Sequence, residues 1–304
     1  YPPHEIFVGG QGYLSSDIIQ FNCGGQTFSQ TPPTDFKALS QNNAPDNTAG
    51  ITGFSWIKNR DASVHNILSN RVSGIGNYLE SDSTEEEQEN TNSVQRFLQQ
   101  GVQVGKMAAV NTSAASFILW QWAANGTGTT NDHGSGADVT VSVNTTAGFS
   151  IVKYTGDGTS GRTIGTGLAD QVACILVKNI TDTGGTYEWR VFHQSWGNTK
   201  AAPLNDIDYP NTSTAYWNDA GPATSGNYTF TVGNSDETNK SGDDFIAYVW
   251  AEIPGYSKFG SYTGNSSADG PYINTGFSPA YVMIKRTDAD DEWVIVDSAR
   301  SPYN

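Results

Sequence analysis

AYVMIKRTDADDEWVIVDSAR, the sequence of residues 280–300, decides the fold class of this chain. Two apolar runs, residues 281–284 and 293–296, flank a polar and acidic middle. Short apolar runs rich in β-branched and aromatic residues are typical of strands, and polar residues between such runs are typical of a turn. The stretch therefore predicts two buried strands joined by a tight turn.

A similar phrase occurs twice more, as GFSWIKNRDASVHNI at residues 53–67 and as ACILVKNITDTGGTYEWRVFH at residues 173–193. Each copy has an apolar run that ends in a lysine, then a polar turn and a second apolar segment; the three lysines are Lys58, Lys178 and Lys285. His193 and Asp297 stand four residues after the tryptophan of the second and third copies. Because this repeat position accepts both residue types, we expect a structural role there rather than a catalytic base.

Two further phrases recur along the chain. GFSIVKYTGDGTSGRTIGTG at 148–167 is echoed by GYSKFGSYTGNSSADGPYINTG at 255–276, and FILWQWAANG at 117–126 is echoed by FIAYVWAEIPG at 245–255. These spacings predict an internal repeat of roughly 105–125 residues, which is long enough for a small β domain.

Composition indicates an all-β protein. The 33 glycines, 8 tryptophans, 14 tyrosines and 13 phenylalanines, with many Ser, Thr and Asn residues, describe short strands separated by turns. We predict tandem antiparallel β-sandwich domains: the end of one sandwich at 1–48, a first repeat at 49–147, a second at 148–253, and the start of a third at 254–304. The first residue is not a methionine and the last follows a predicted strand closely, so we expect a piece of a longer polypeptide.

Charge and cysteine content exclude several classes of function. The formal charge of −15 argues against nucleic-acid binding, because a phosphate backbone needs clustered Lys and Arg. No apolar run is long enough for membrane insertion. Cys23 and Cys174 fall in different predicted domains, so no disulfide is expected. H-E-x-x-H and C-x-x-C spacings do not occur, and we expect no cofactor.

Two acidic or glycine-rich motifs have competing interpretations. GDGTSG at 156–161 fits the dinucleotide pattern, but a helix pattern does not follow it, so a hairpin turn is predicted. The acids of the opening stretch, Asp288, Asp290 and Asp291, are candidate Ca²⁺ ligands. Their counterparts in the other copies hold fewer acids, and a plain turn is the competing interpretation.

The motif ESDSTE at 80–85 raises the question of a hydrolase. Some polysaccharide hydrolases with a concanavalin-like fold place two carboxylates on one strand, as Glu80 and Glu85 would be placed if alternation held. Here the residues between the acids are polar and would not anchor a strand. Ser83 and Glu86 instead fit a capping box, which predicts a short helix or an acidic loop.

The aromatic residues give the remaining functional signal. Most tryptophans lie in apolar runs and are expected in the core or on a sheet face. The loop at 194–228 differs because aromatic side chains stand among Asn and Asp; they are Trp196, Tyr209, Tyr216 and Trp217. Aromatic faces beside hydrogen-bonding groups suit a sugar or surface receptor. Packing against a neighbouring subunit is the competing interpretation.

Several phrases resemble phage virion proteins. FNCGGQTFSQTPPTDFKALSQNN at 21–43 is similar to the end of a SPRY-type sandwich of phage tail proteins, although QFNCGG replaces the usual FNFGQ. GFSWIKNRD, AEIPGYSKFGSYTGNSSADGPYINTGF and VMIKRTDADDEWVIVDSARSPYN are similar to a domain that follows it in tail fibres and other virion proteins. The resemblance implies jelly-roll sandwiches of the laminin-G or concanavalin type, and it implies no catalytic residues.

The resulting hypothesis is a non-enzymatic structural segment of a virion appendage, either a tail fibre or a host-adhesion protein at the particle surface. Its expected partners are other copies of itself, first as a homotrimer, other tail proteins and a host-surface glycan. A lectin-like module, a head fibre or capsid decoration protein, and a polysaccharide depolymerase are the alternatives.

Overall fold

A computed structural model describes residues 19–23, 26–30, 51–98, 101–135, 138–181, 185–217 and 229–300. Over these ranges the protein is all-β, as predicted, and is built from several antiparallel sheets with a few short helices. In this part of the chain no helix is long and apolar enough to cross a membrane. The chain divides into two compact units: Tyr1–Leu79 with Gln88–Thr127, and Glu80–Glu87 with Gly128–Asn304. The predicted domain boundaries stay predictions.

The first unit contains short strands and one helical turn. In chain order they are β1 (Ile19–Cys23), β2 (Gln26–Gln30), β3 (Ile51–Asn59), β4 (Ile67–Asn70), β5 (Asn77–Glu80), β6 (Gln88–Glu89), β7 (Val94–Leu98), β8 (Gly101–Val104), α1 (Ala108–Asn111) and β9 (Phe117–Ala124). Five strands form a sheet in the order β6-β5-β4-β3-β9, and the pairs β1-β2 and β7-β8 form separate ribbons. β1 and β2 fall within the predicted SPRY-like end, most of which lies outside the described residues.

The second unit contains the larger sheet. Its elements are β10 (Thr129–Thr130), β11 (Thr140–Asn144), β12 (Phe149–Thr155), β13 (Arg162–Gly165), β14 (Val172–Asn179), β15 (Arg190–His193), a 3-10 helix (Gln194–Trp196), β16 (Lys200–Pro203), β17 (Asn211–Thr212), α2 (Thr214–Trp217), β18 (Thr229–Val232), α3 (Asp236–Asn239), β19 (Asp244–Ala251), β20 (Tyr281–Ile284) and β21 (Val294–Asp297). Eight of them form a sheet in the order β10-β11-β12-β19-β14-β15-β16-β17.

The core of the second unit lies between one face of this sheet and the two-stranded ribbon β13-β18. Alternate residues of the central strand β19 contribute to it, as the two-residue period of a strand requires; they are Phe245, Ala247, Val249 and Ala251. Ile164 of β13 and Phe230 of β18 face them from the opposite layer. The arrangement is the sandwich-like packing that the alternation of apolar residues predicts.

The two strands that end in repeat lysines have partners in the same register. Lys58 of β3 lies opposite Ile118 of β9, and Lys178 of β14 lies opposite Ile246 of β19. The phrases FILWQWAANG and FIAYVWAEIPG, which the sequence pairs as echoes, therefore supply equivalent neighbouring strands.

A register irregularity occurs five residues before the lysine in both strand pairs. It falls at Gly53 in β3 and at Ala173 in β14. A Cβ atom on Gly53 would lie 2.2 Å from the Cβ of Ala124, so a side chain at this bulge would clash in the first unit. The two strand pairs therefore share a bulge at the same position. The residue at the bulge differs because β3 leaves no room for a side chain beside Ala124.

The register also agrees on the other side of the lysine strands. Asn70 lies opposite Phe54, His193 opposite Cys174, and Asp297 opposite Tyr281. In each pair, the second residue stands four positions before a repeat lysine. Asp297 accepts hydrogen bonds from the backbone N–H groups of two following residues, Ala299 at 3.1 Å and Arg300 at 2.9 Å. These hydrogen bonds close the turn that follows β21.

Each repeat lysine closes the turn that follows it. Lys58 Nζ donates to the carbonyl of Val64 at 2.7 Å, and Lys178 Nζ donates to the carbonyl of Tyr187 at 3.0 Å. Lys285 Nζ donates to the carbonyl of Asp291 in the third copy. An ammonium group carries three donors, and unpaired carbonyls collect in a turn, so a lysine at the strand end satisfies them.

The opening stretch forms the predicted hairpin, but its burial was predicted wrongly. β20 and β21 pair antiparallel, with Tyr281 opposite Asp297 and Ile284 opposite Val294. Most of their side chains are partly or largely exposed, and Trp293 lies just before β21 rather than within it.

The GDGTSG segment is not the hairpin turn that was predicted. It connects β12 to β13, and these strands belong to different sheets. Gly158 and Gly161 have φ angles of 72° and 91°, which glycine adopts readily. The backbone at Gly156 packs against Lys240, whose carbonyl would lie 2.2 Å from an added Cβ. The segment is therefore a tight link between the two layers of the sandwich.

The segment Glu80–Glu87 begins at the last residue of β5, continues as a loop and belongs to the second unit. The predicted alternative of a short helix is not formed; the Ser83 hydroxyl accepts from the backbone N–H of Glu85 at 3.1 Å. The carbonyl of Glu80 accepts from the indole of Trp189 at 2.9 Å, and the carbonyl of Thr84 accepts from Lys178 at 3.1 Å. This acidic loop thus satisfies two polar groups that the sheet buries.

Candidate functional site

A cluster of aromatic rings lies on the second unit where β15 ends. We call His193, Trp196, Phe259 and Trp293 the aromatic surface. The His193 ring lies 5.4 Å from that of Trp196 and 6.1 Å from that of Phe259, and Trp196 lies 6.3 Å from Trp293, between ring centroids. All four side chains are partly exposed. Such rings present apolar faces to solvent at fixed positions.

The 3-10 helix sets the position of Trp196. The Nδ1 atom of His193 accepts from the backbone N–H of Ser195 at 3.2 Å, which caps the helix, and Gly197 ends it at a φ of 75°. The side chain of Gln194 donates to the carbonyl of Phe259 at 2.8 Å. Backbone and side-chain hydrogen bonds therefore hold this part of the surface on the end of a sheet strand.

Trp293 is fixed by the strand that follows β15. Its indole N–H donates to the carbonyl of Pro203 at 2.8 Å. Lys285 Nζ lies 5.7 Å from the ring centroid and donates to the carbonyl of Ile207 at 2.6 Å. Burial lowers the pKa of Lys285, against the opposing effect of Asp290 and nearby acids. The hairpin β20-β21 is thereby fastened to the segment between β16 and β17.

The predicted calcium ligands have other partners. Asp290 Oδ1 accepts from the backbone N–H of Tyr209 at 3.3 Å, and the backbone N–H of Asp291 donates to the carbonyl of Ile207 at 2.9 Å. Asp288 pairs with Arg286 at 2.8 Å, and this hydrogen bond lowers the pKa of Asp288. Among the described residues, no three His, Cys, Asp or Glu side chains are placed together to hold a metal ion.

The four predicted contact residues do not share one surface. Trp196 is partly exposed and Tyr209 is exposed, whereas Trp217 is fully buried. The Tyr216 ring lies 4.5 Å from the guanidinium of Arg190 and packs at the edge of the core. α2 directs the side chains of its last two residues, Tyr216 and Trp217, towards the core. The polar residues on either side of α2 in the sequence give no indication of this burial.

Three rings of the aromatic surface are not among the contact residues that the sequence predicts: those of His193, Phe259 and Trp293. The sequence predicts a structural role for His193 and a buried strand for Trp293. The acids immediately before Trp293 are the available signal, because a tryptophan that follows three acidic residues lies close to the solvent-facing end of its strand. Phe259 carries no comparable signal, since the segment around it forms no regular element.

The stability of the second unit is expected to fall as pH decreases below about 6.5, the ordinary pKa of histidine. Burial lowers the pKa of His193, so the unfolded chain binds the proton first, and the unfolding free energy decreases as pH falls below that value. Protonation also removes the Nδ1 lone pair that accepts from Ser195. Urea unfolding at several pH values measures the slope, and His193→Gln should reduce it. Parallel profiles for both proteins would assign the slope to other groups.

A family match covers most of the chain. Residues 41–304 match the family described as Domain of unknown function (DUF7483), and the chain belongs to that family. Comparison with curated proteins and with solved structures gave no match.

Proposed function

We propose that this member of the family is a non-enzymatic segment of a phage virion appendage that contacts host-surface glycans weakly through the aromatic surface. One observation supports the glycan contact: the partly exposed rings of Trp196 and Trp293 lie next to each other, the first on the 3-10 helix and the second held by its hydrogen bond to the carbonyl of Pro203. Sugars present apolar C–H faces between hydroxyl groups, and a rigid aromatic face with polar neighbours suits them.

Two polar side chains suited to sugar hydroxyls are exposed close to the aromatic surface. The Asp208 carboxylate lies near enough to Lys285 to act on its pKa, and Gln194 belongs to the 3-10 helix that carries Trp196. A surface with few rings binds each glycan weakly. Closed symmetric assembly of identical chains raises the overall affinity through multivalency, which favours the predicted homotrimer in an appendage.

The virion location rests on the resemblance of the quoted phrases to phage tail proteins. A free lectin-like module would use the same surface, and electron microscopy of purified particles separates the two. Chains that project from the tail support the appendage, chains spread over the head indicate a decoration protein, and their absence from particles indicates a lectin.

The depolymerase alternative loses the geometry on which it was based. Glu80 ends β5, and Glu85 lies in the loop that follows. The two carboxylates are therefore not carried by one strand, as the hydrolase motif would require.

Replacing Trp196 with alanine is expected to weaken glycan binding about tenfold or more, because the ring supplies one of the two adjacent apolar faces. The measurement uses the purified chain on an array of bacterial capsular and O-antigen polysaccharides, followed by titration of those bound. Tyr272→Ala is the matched control, since Tyr272 is an exposed aromatic outside the aromatic surface. Equal affinities for both variants would remove the aromatic surface as the binding site.

A further inference from the structure

Two acidic segments of the second unit meet beside the aromatic surface. The first covers residues 206–208, between β16 and β17, and the second covers residues 290–292. The backbone N–H of Asp291 donates to the carbonyl of Ile207 at 2.9 Å, and Lys285 Nζ donates to the same carbonyl at 2.6 Å. We call the carboxylates of the two segments the acidic rim. All five are exposed; they are Asp206, Asp208, Asp290, Asp291 and Glu292.

The acidic rim reaches the aromatic surface at Trp293. Glu292 directly precedes this tryptophan in the chain, and Lys285 Nζ lies 5.7 Å from the centroid of its ring. Burial lowers the pKa of Lys285, and four carboxylates of the rim lie close enough to oppose this effect; they are Asp208, Asp290, Asp291 and Glu292. A ligand that lies on the Trp293 ring therefore has carboxylates beside it.

The lysines closest to the rim do not balance its charge. Lys285 is partly buried and uses two of its three donors on the carbonyls of Ile207 and Asp291. Lys200 begins β16 and is also only partly exposed. Two partly covered ammonium groups thus face a rim of five exposed carboxylates, and the excess charge at the surface is negative.

Two further cations near the aromatic surface already have carboxylate partners. Lys258 pairs with Glu252 at 2.6 Å, and Arg286 pairs with Asp288 at 2.8 Å. Proteins bind carboxylate and phosphate groups chiefly through Arg and Lys donors. An acidic sugar at this surface would therefore have to displace Glu252 or Asp288 from an existing ion pair.

We propose that the aromatic surface selects uncharged glycans and rejects acidic ones, with the acidic rim as the element that determines this specificity. The inference rests on the proposed function, because it names the class of glycan that the same surface binds. An ionised carboxylate only accepts hydrogen bonds, so the rim accepts from sugar hydroxyls. It offers no donor to an ionised uronate or phosphate group, and its charge repels that group.

Changing the charge of one polysaccharide tests the proposal. The neutral polysaccharide that binds the purified chain most tightly on the array is oxidised at its primary hydroxyls to carboxylates. Part of the product is then methyl-esterified, which removes the charge again. The oxidised form should bind about tenfold more weakly than the neutral one at about 0.01 M salt, and about two- to threefold more weakly at about 0.15 M, because salt screens the repulsion. The ester should regain most of the lost affinity.

A pair of variants assigns the effect to the rim. Asp291→Asn combined with Glu292→Gln should bind the oxidised polysaccharide about three- to fivefold more tightly than the wild type at low salt, and the neutral one equally well. Asp132→Asn combined with Asp236→Asn is the matched control. Asp132 follows β10, at the sheet edge opposite β17, and Asp236 contacts the end of β14 far from His193. The control should leave both affinities unchanged.

Failure of this inference and failure of the proposed function give different results. Charge selection is wrong if acidic polysaccharides bind as tightly as neutral ones at low salt, if the oxidised and esterified forms bind alike, or if the rim variant behaves as the control does. In these cases the glycan contact itself still stands. If no polysaccharide on the array binds at either salt concentration, the proposed function is wrong.

Discussion

Trp217→Ala is expected to lower the unfolding free energy of the second unit by about 3–5 kcal/mol, the usual loss for a large aromatic side chain in a packed core. Trp217 is fully buried, and its ring meets that of Phe192 edge-on at a centroid distance of 5.8 Å. The alanine variant leaves a cavity that the rigid sheet fills poorly. Urea denaturation followed by tyrosine and tryptophan fluorescence measures the loss.

Two variants make this experiment specific. Trp217→Phe keeps most of the ring, and among the described residues the indole nitrogen has no hydrogen-bond partner to lose, so its cost should be clearly smaller. Trp196→Ala removes a partly exposed ring and should cost less than about 1 kcal/mol. If Trp196→Ala were the more damaging variant, the assignment of these two residues to surface and core would be wrong.

Lys178→Met is expected to destabilise the second unit by about 3 kcal/mol at pH 7. The lysine is buried, and its Nζ donates to the carbonyls of Thr84, Asn179 and Tyr187. Carbonyls left without a donor cost about 1–3 kcal/mol each. Removing the buried charge offsets about 3 kcal/mol of this loss in stability, because burial lowers the pKa of Lys178 to about 8 against the opposing effect of three glutamates.

The pH dependence of unfolding tests whether the buried charge of Lys178 contributes to this difference in stability. Between pH 8 and about 10.5 the unfolded wild-type chain binds more protons than the folded protein. The unfolding free energy of the wild type therefore rises with pH across this window relative to that of Lys178→Met. Subtracting the two profiles removes the titration of shared groups. A difference that stays constant from pH 7 to 10 would contradict the lowered pKa. Lys285→Met is the matched control and should cost less, since Lys285 is partly exposed.

Sequence reasoning works best in this protein where a phrase repeats. The hairpin at 281–297 and the equivalent positions of His193 and Asp297 follow from comparing copies, because each copy tests the interpretation of the others. The all-β class follows from composition. The strand echoes at 117–126 and 245–255 also prove to be equivalent neighbours of the lysine strands.

Long-range packing explains what the sequence did not predict. α2 is one helical turn, and nothing in its own residues shows that a glycine at position 233 lets it approach β18, where an added Cβ would lie 2.0 Å from the carbonyl of Ala215. Trp217 therefore resembles a loop aromatic in sequence and fills the core in structure. Long-range packing also explains the wrong prediction of a hairpin turn at 156–161. A glycine-rich turn does not show which sheet the strand after it joins.

The acidic loop Glu80–Glu87 has a consequence for how the protein forms during synthesis. Its partners Lys178 and Trp189 follow its own residues Thr84 and Glu80 by 94 and 109 positions. A ribosome adding about 5–20 residues per second makes these partners roughly 5–20 s later. The nascent loop is exposed to water throughout that interval, and its high content of Glu and Ser favours that exposure.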